Sequence, residues 1–394
     1  MTDDFRVPMS APDLSDLERE AVAEVLKTPI LSMGAQTEAF EEAVREFSGA
    51  KQAISVASGT AGLHLCVRAA DIGPGDLVLT TPFSFVASSN VLLYERATPV
   101  FVDVSAPSGN IDVELLAQAA EDLVKGGKAA ERWLPRKGAK AGKLKAILAV
   151  DVFGQPADYD GIRQVAEKHG LKVIEDSCEA IGAEYRGEPA GLLGDMGVFA
   201  FYPNKQMTTG EGGVIVTDDE AAASFMRALR NQGRSPGDTW LQHTHLGYNY
   251  RLTELSAVLG RVQLARLEDF LQRRAQVAAW YAERLEGGEG VQLPQVEAST
   301  TRMSWFLYVV RMAEDIDRDE VIGELAEARI PSRPYFTPIH LQPFMREQFG
   351  YRQGDFPVAE DLGRRGLALP FSSVMEEGEV EMVCEALKGI LAKS

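Results

Sequence analysis

Between Lys51 and Asp218 the chain alternates short apolar runs with longer segments of helical periodicity. Ala53–Ala57, Leu77–Thr80, Thr98–Val102, Ala146–Val150 and Lys172–Glu175 have the length and composition of buried strands, with helices between them. That alternation predicts an α/β fold whose mostly parallel central sheet is flanked by helices. Sheets of this kind bind ligands just beyond the carboxyl ends of their strands. Two further runs, Gly197–Tyr202 and Gly213–Thr217, enclose a polar, hairpin-like segment with one lysine, Lys205, and with Gly210, Gly212 and Gly213 just beyond it. A lysine held beside buried strands loses hydration, which lowers an amine's pKa and makes it a usable nucleophile toward a carbonyl.

The rest of the chain reads as helical at the start and mixed at the end. Ser15-Asp16-Leu17-Glu18 has the form of a capping box ahead of an amphipathic helix that Pro29 stops. A glycine-bearing loop, Leu31–Gln36, leads into a second helix over Thr37–Phe47. After Asp219 come a helix, a loop to Asn249, and one long helix over Thr253–Glu286 with Thr253 as N-cap. The run EGGEG at Glu286–Gly290 marks a break. A strand at Trp305–Val310 and helices at Asp319–Ala328 and Glu379–Leu391 predict a smaller C-terminal α+β domain. The expected division is 1–250 for a large domain with an N-terminal helical segment, and 251–394 for a linking helix and the small domain. Lys125–Lys145, rich in cations and glycine, reads as a solvated insertion, or alternatively as a basic patch for an anionic substrate.

Charge and cysteine use narrow the function. A formal net charge of −18 argues against nucleic acid as the main partner, because phosphate backbones demand clustered cations. No apolar stretch approaches the length of a membrane span, and the acidic start MTDDFRVP lacks a signal-peptide layout. The three cysteines, Cys66, Cys178 and Cys384, are widely spaced and suggest neither a disulfide framework nor a metal site, which fits a cytoplasmic location.

Chemistry concentrates at a few positions. Ser58-Gly59-Thr60-Ala61-Gly62 follows the first strand and opens the helix Ala61–Ala70, so small residues meet a helix N-terminus where an anion is favoured. Gly59 and Thr60 are the candidate phosphate ligands, against the alternative of an ordinary strand-to-helix turn. Asp176, at the carboxyl end of a strand, can bind a metal, cap a helix, or pair with a cationic ring nitrogen. A metal is disfavoured because no cluster of ligands accompanies the aspartate. Together with Lys205, the third role fits pyridoxal phosphate, which needs a lysine for its aldehyde, a carboxylate for its pyridinium nitrogen and a cradle for its phosphate. Phe85, in PFSFVAS, is placed either to stack on such a ring or to join the core.

These segments together resemble a known family. SGTAGLHL at Ser58–Leu65, PFSFVAS at Pro82–Ser88, EDSCEAIGA at Glu175–Ala183, FYPNKQMTTGEGG at Phe201–Gly213 and GYNYR at Gly247–Arg251 resemble the DegT/StrS-type sugar aminotransferases of the fold-type-I pyridoxal-phosphate enzymes. The resemblance spans nearly the whole chain in the right order. It implies Lys205 as the lysine that bonds the cofactor and shuttles the proton, Asp176 on the pyridine nitrogen, Gly59 and Thr60 on the phosphate, and Phe85 over the ring. It implies further that Asn249 reaches the phosphate of the neighbouring subunit's cofactor, which makes the protein a homodimer with sites at the subunit interface. Three positions depart from the family pattern. Glu179 stands where glutamine often contacts the phenolic oxygen, Ala200 replaces a serine five residues before the lysine, and Asp151 replaces a histidine at a strand end. Related sugar dehydratases carry histidine where Lys205 stands, so the lysine favours amino transfer.

By resemblance, the expected reaction passes nitrogen from L-glutamate to the cofactor, as pyridoxamine phosphate, and then to the keto group of a nucleotide-linked sugar. A 4-keto-6-deoxyhexose is the first expectation. A 3-keto sugar, an amino-cyclitol ketone, or a non-catalytic cofactor-binding regulator are the alternatives. Candidate residues on the sugar side are Arg333, Tyr335 and His340 around PYFTPIH, with the Ser32–Gly34 turn.

Overall fold

The computed structural model describes residues 5–139, 142–235 and 237–393. Seven strands build the central sheet: β1 Gln52–Val56, β2 Leu77–Thr80, β3 Thr98–Phe101, β4 Leu144–Val150, β5 Lys172–Asp176, β6 Met196–Ala200 and β7 Gly213–Thr217. Their spatial order is β1-β7-β6-β5-β4-β2-β3. The pairs β2/β3, β2/β4, β4/β5 and β5/β6 are parallel, while β7 runs antiparallel to both of its neighbours. Only β7 is therefore reversed. Helices cover both faces, which is why β2, β3 and β7 are buried at every position instead of alternating. One face packs Val56, Leu65 and Val198 into a common core; the other packs Leu79, Ile147 and Tyr159.

The reversal of β7 decides where the chemistry sits. It turns the connection between β6 and β7 into a hairpin-like excursion across the carboxyl edge of the sheet, the edge to which β1 and β5 also deliver their ends. The capping box at Ser15 forms as expected, opening helix α1 (Asp16–Val25), and α2 spans Ala35–Ser48. Helix α3, Gly59–Ala69, begins directly after β1, with Ser58 as its N-cap.

Three expectations are corrected. The helix expected over Thr253–Glu286 is two helices, Glu254–Ala265 and Leu267–Leu285, separated at Arg266, where φ is −106° and ψ 0°; Thr253 is the N-cap as anticipated. The insertion at Lys125–Lys145 is not merely solvated. It contains a short helix, Gly127–Glu131, it packs Trp133 and Leu134 against the core, and Arg136 binds both carboxylate oxygens of Asp355, at 2.5 and 2.6 Å. Residues 140 and 141 of that segment lie outside the described residues. The strand expected at Trp305–Val310 lies at Tyr308–Met312 and is the centre of a second sheet: β8 Val291–Gln292, β9 Tyr308–Met312, β10 Arg333–Pro334 and β11 Gly366–Leu369, in the order β8-β9-β11-β10. No helix among the described residues is long and apolar enough to cross a membrane.

Gly197 shows how tightly β6 is packed. A Cβ there would stand 2.2 Å from the carbonyl oxygen of Gly191 and 2.6 Å from its Cα, and backbone cannot swing aside as a side chain can. Gly197→Ala is expected to cost about 1–3 kcal/mol, the usual range for overpacking, read as a lower midpoint in urea denaturation at unchanged slope.

Candidate active site

At the carboxyl edge of the sheet lies a cavity of about 490 Å³. Ser58, Gly59 and Thr60 line it from the start of α3, Asp176 from the end of β5, and Lys205 from the β6–β7 connection. Phe85, Glu179, Ala200, Phe306, Tyr335 and Phe336 also face it. At the helix start the Ser58 hydroxyl accepts the Ala61 N–H at 3.1 Å. The amides of Gly59 and Thr60, which intrahelical bonding cannot use, remain for an anion. Gly59 is dictated by space: a Cβ would stand 2.7 Å from the Ala200 Cβ and 2.8 Å from the Cys178 Sγ. Ala200 thus packs directly under the turn.

Lys205 is largely buried, and its amine has two neighbours. Nζ donates to Glu179 Oε1 at 3.3 Å and lies 3.8 Å from the centre of the Phe306 ring. The lysine expected to be merely desolvated is therefore charge-paired. Its main chain is fixed from behind by Arg274, a fully buried guanidinium in the helix Leu267–Leu285. Arg274 donates to the carbonyls of Lys205 (2.9 Å), Trp305 (3.1 Å) and Phe306 (3.2 Å), so one side chain holds both the lysine and the ring that faces it. Burial lowers the Arg274 pKa to about 10, which keeps it cationic at neutral pH. Glu179 is held by the Phe153 N–H at 3.0 Å. Burial raises its carboxyl pKa, and the Lys205 charge offsets part of that rise.

Asp176 sits on a buried acidic network. Its Oδ2 accepts from the Ser88 hydroxyl at 2.8 Å and its Oδ1 from the Cys178 N–H at 3.3 Å, leaving lone pairs for a further donor. One residue on, the Ser177 hydroxyl lies 2.7 Å from both Asp151 Oδ2 and Glu175 Oε1. A hydroxyl has one proton, so one of the two carboxyls must supply the other. Glu175 is the carboxylate, because three amides donate to it: Gly191 (2.5 Å), Leu193 (2.8 Å) and Gly194 (3.3 Å). Asp151 is then the acid, donating through Oδ2 while Oδ1 accepts from the Ala157 N–H and the Tyr159 hydroxyl, both at 3.0 Å. Burial, and after it the Glu175 charge, pushes the Asp151 pKa well above its ordinary value.

The remaining sequence candidates divide. Phe85 is 62% exposed at the cavity mouth, so it is not core. Tyr335 lines the cavity, its hydroxyl pKa raised to about 12 by burial and then by the Glu179 charge. Arg333 is exposed on β10 and is not among the lining residues. His340 is corrected. It is fully buried in the short turn Ile339–Leu341, against Tyr351 and Phe356, with Nε2 2.9 Å from Glu360, and it does not reach the cavity. The Ser32–Gly34 turn is tied down by Glu254, which accepts from the Gly34 N–H at 3.0 Å. Asn249 is exposed and does not line the cavity of its own chain. Sequence reasoning missed Phe306, Phe336 and Arg274, each of which looks like an ordinary core or surface residue until the fold brings it to Lys205.

A family model for DegT/DnrJ/EryC1/StrS aminotransferases matches residues 12–388. The chain belongs to that family. It is 38% identical over 395 residues to the GDP-perosamine synthase of Caulobacter vibrioides, covering 99% of this chain and 100% of that one. It is 34% identical over 401 residues to the UDP-N-acetyl-3-dehydro-alpha-D-glucosamine 3-aminotransferase of Acidithiobacillus ferrooxidans, covering 99% and 100%. Among solved structures, the PLP form of the putative sugar aminotransferase Spr1654 from Streptococcus pneumoniae aligns with a TM-score of 0.88 at 26% identity, covering 98% of this chain and 99% of that one. This DegT-family member is a fold-type-I enzyme whose cofactor is pyridoxal phosphate. The cavity fits that cofactor, with free helix-start amides for a phosphate, a carboxylate with open lone pairs, and a primary amine, all on one wall system.

The Asp151 assignment has a pH signature. Its folded pKa lies above the unfolded one, so its stabilising effect is complete below the unfolded carboxyl pKa and is lost as pH rises through the folded value. Across that window the unfolded chain releases a proton that the folded one keeps, and stability falls by about 1.4 kcal/mol per pH unit. Asp151→Asn preserves the donor and acceptor pattern and cannot ionise. The variant should therefore gain stability relative to wild type as pH rises from about 4. Urea titrations at a series of pH values test this, and parallel curves for the two proteins would refute the assignment.

Proposed function

We propose that this chain transfers an amino group from L-glutamate to the keto carbon of a nucleotide-linked sugar, a 4-keto-6-deoxyhexose, in amino-sugar biosynthesis. The observation that carries the reading is the meeting of the α3 N-terminus, Asp176 and Lys205 in one cavity. Pyridoxal phosphate, when bound, supplies an aldehyde that exchanges amines and a ring that absorbs electrons from a carbon losing its proton. The chain's residues supply the rest. The amides of Gly59 and Thr60, with the Thr60 hydroxyl, would hold the phosphate. Asp176 would keep the pyridine nitrogen protonated, and Ser88 holds that carboxyl group in place. Phe85, at the cavity mouth, would cover the ring. Glu179, paired with Lys205, would supply a carboxyl beside the ring's oxygen substituent. Lys205 would hold the cofactor through Nζ, and as a free amine it would take the proton from the α-carbon of the donor and deliver one to the sugar carbon that bore the ketone. Tyr335, which lines the cavity, and Arg333 are the residues this reading assigns to the sugar nucleotide.

The same reading makes the protein a homodimer in which Asn249 reaches the partner subunit's cofactor phosphate. Supporting it, the loop before Asn249 exposes Trp240 (84%), Leu241 (65%) and Leu246 (83%), a run of apolar side chains suited to cover by a second copy. A 3-keto sugar nucleotide is the second reading, supported by the relative from Acidithiobacillus ferrooxidans whose name specifies a 3-dehydro sugar.

Lys205→Ala should lower turnover by at least 10³-fold while circular dichroism stays unchanged; normal turnover would sink the reading. The wild-type protein should show a visible absorption band that L-glutamate bleaches and that the correct keto sugar nucleotide restores. Whether a 4-keto or a 3-keto sugar restores it separates the two readings.

A further inference from the structure

A second polar cluster lies on the flank of α3, with His64 buried in it and Arg68, Glu95, Tyr248 and Tyr250 half-buried around it. His64 Nδ1 lies 3.0 Å from the Tyr250 hydroxyl and Nε2 2.8 Å from Glu95 Oε1. The Tyr248 hydroxyl donates to the same oxygen at 3.2 Å and accepts from Arg68 at 2.6 Å. Arg68 Nε stands 3.6 Å from the other Glu95 oxygen. A carboxylate only accepts, so the His64 proton sits on Nε2, and Nδ1 accepts from Tyr250. A neutral imidazole then satisfies every member.

This cluster grips one short segment. The rings of Tyr248 and Tyr250 stack with centroids 4.9 Å apart and planes at 10°, so both side chains lie on one side of the extended chain. Asn249 between them projects to the opposite, exposed side. The backbone is pinned as well. Tyr248 N donates to Leu229 O at 2.7 Å, Tyr250 N to Arg230 O at 3.1 Å, and Ala57 N to Tyr250 O at 2.8 Å. Ala57 immediately precedes the Ser58 cap. Apolar side chains would pack this flank without partly desolvating charge; what a satisfied polar network adds is direction.

We propose that His64, Glu95, Tyr248 and Tyr250 are positioning residues that aim Asn249, and so set how tightly the partner subunit's cofactor phosphate is held. The inference rests on the reading of Asn249 given above. It makes α3 serve two sites at once: its N-terminus cradles the chain's own phosphate, and its flank supports the residue delivered across the interface.

The test compares apparent dissociation constants of pyridoxal 5′-phosphate and of pyridoxal, which lacks the phosphate, on full-length apo-protein. The variants are Asn249→Ala, His64→Leu, Tyr250→Phe and the two doubles with Asn249→Ala, each checked for unchanged oligomeric state. Asn249→Ala and His64→Leu should each weaken the phosphate form about tenfold to a hundredfold, the scale of a lost hydrogen bond to a charged group, and leave pyridoxal unchanged. The double variant should be no weaker than Asn249→Ala alone. Should His64→Leu fail to fold, Tyr250→Phe runs the same cycle with a smaller loss. Full additivity, equal losses for both ligands, or wild-type affinity in the cluster variants would overturn the positioning role while Asn249 kept its own. An unchanged preference for the phosphate form in Asn249→Ala would instead remove the reading of Asn249, and the inference with it.

Discussion

The structure depends on a buried cation that, among the described residues, is held by main-chain carbonyls and not by a carboxylate. Moving a guanidinium out of water costs several kcal/mol unless its N–H groups find acceptors, and Arg274 finds three main-chain carbonyls. Those carbonyls belong to Lys205, on the sheet's hairpin-like excursion, and to Trp305 and Phe306, just before the strand that centres the second sheet. The helix that carries Arg274 starts only after the break at Arg266. Removing it would leave three buried carbonyls to find other donors, and two of the walls around the reactive amine would lose their common fastening.

A second constraint is acidic. Asp176 reaches the cavity at the end of a strand whose neighbouring residues, Glu175 and Ser177, are locked to Asp151 and to the Gly191–Gly194 turn. Placing two buried carboxyls side by side is unfavourable unless they share a proton. Here the sharing runs through a serine, so the charge that faces the cofactor site belongs to Asp176 and Glu179 and not to the pair behind them. Asp151 completes this arrangement only while protonated.

How much of this was legible in the sequence follows from what each signal measures. Strands buried on both faces show as apolar runs, so β2 and β7 were placed to the residue and the other strands of the central sheet within one or two. Lys205, Asp176 and the Ser58–Thr60 turn were legible because their chemistry is local to strand ends. The break at Arg266 was not, since Ala265-Arg266-Leu267 carries no glycine or proline. His340 misled because a histidine in a polar, aromatic loop looks alike whether it faces a cavity or Glu360. Arg274 gave no signal at all: a cation on an amphipathic helix is ordinary until its acceptors prove to be carbonyls 31, 32 and 69 residues away.

The cavity draws its lining from Ser58 at one extreme of the sequence to Phe336 at the other, with Asp176 and Lys205 between. Walls so distant along the chain meet in full only in the native fold, because loop closure over such separations must precede the contacts that reward it. The complete cavity is therefore a property of the native state. Cofactor concentration becomes a thermodynamic handle on the whole molecule: each rise of free ligand above its dissociation constant deepens the native basin by mass action, without changing a single contact in the protein core.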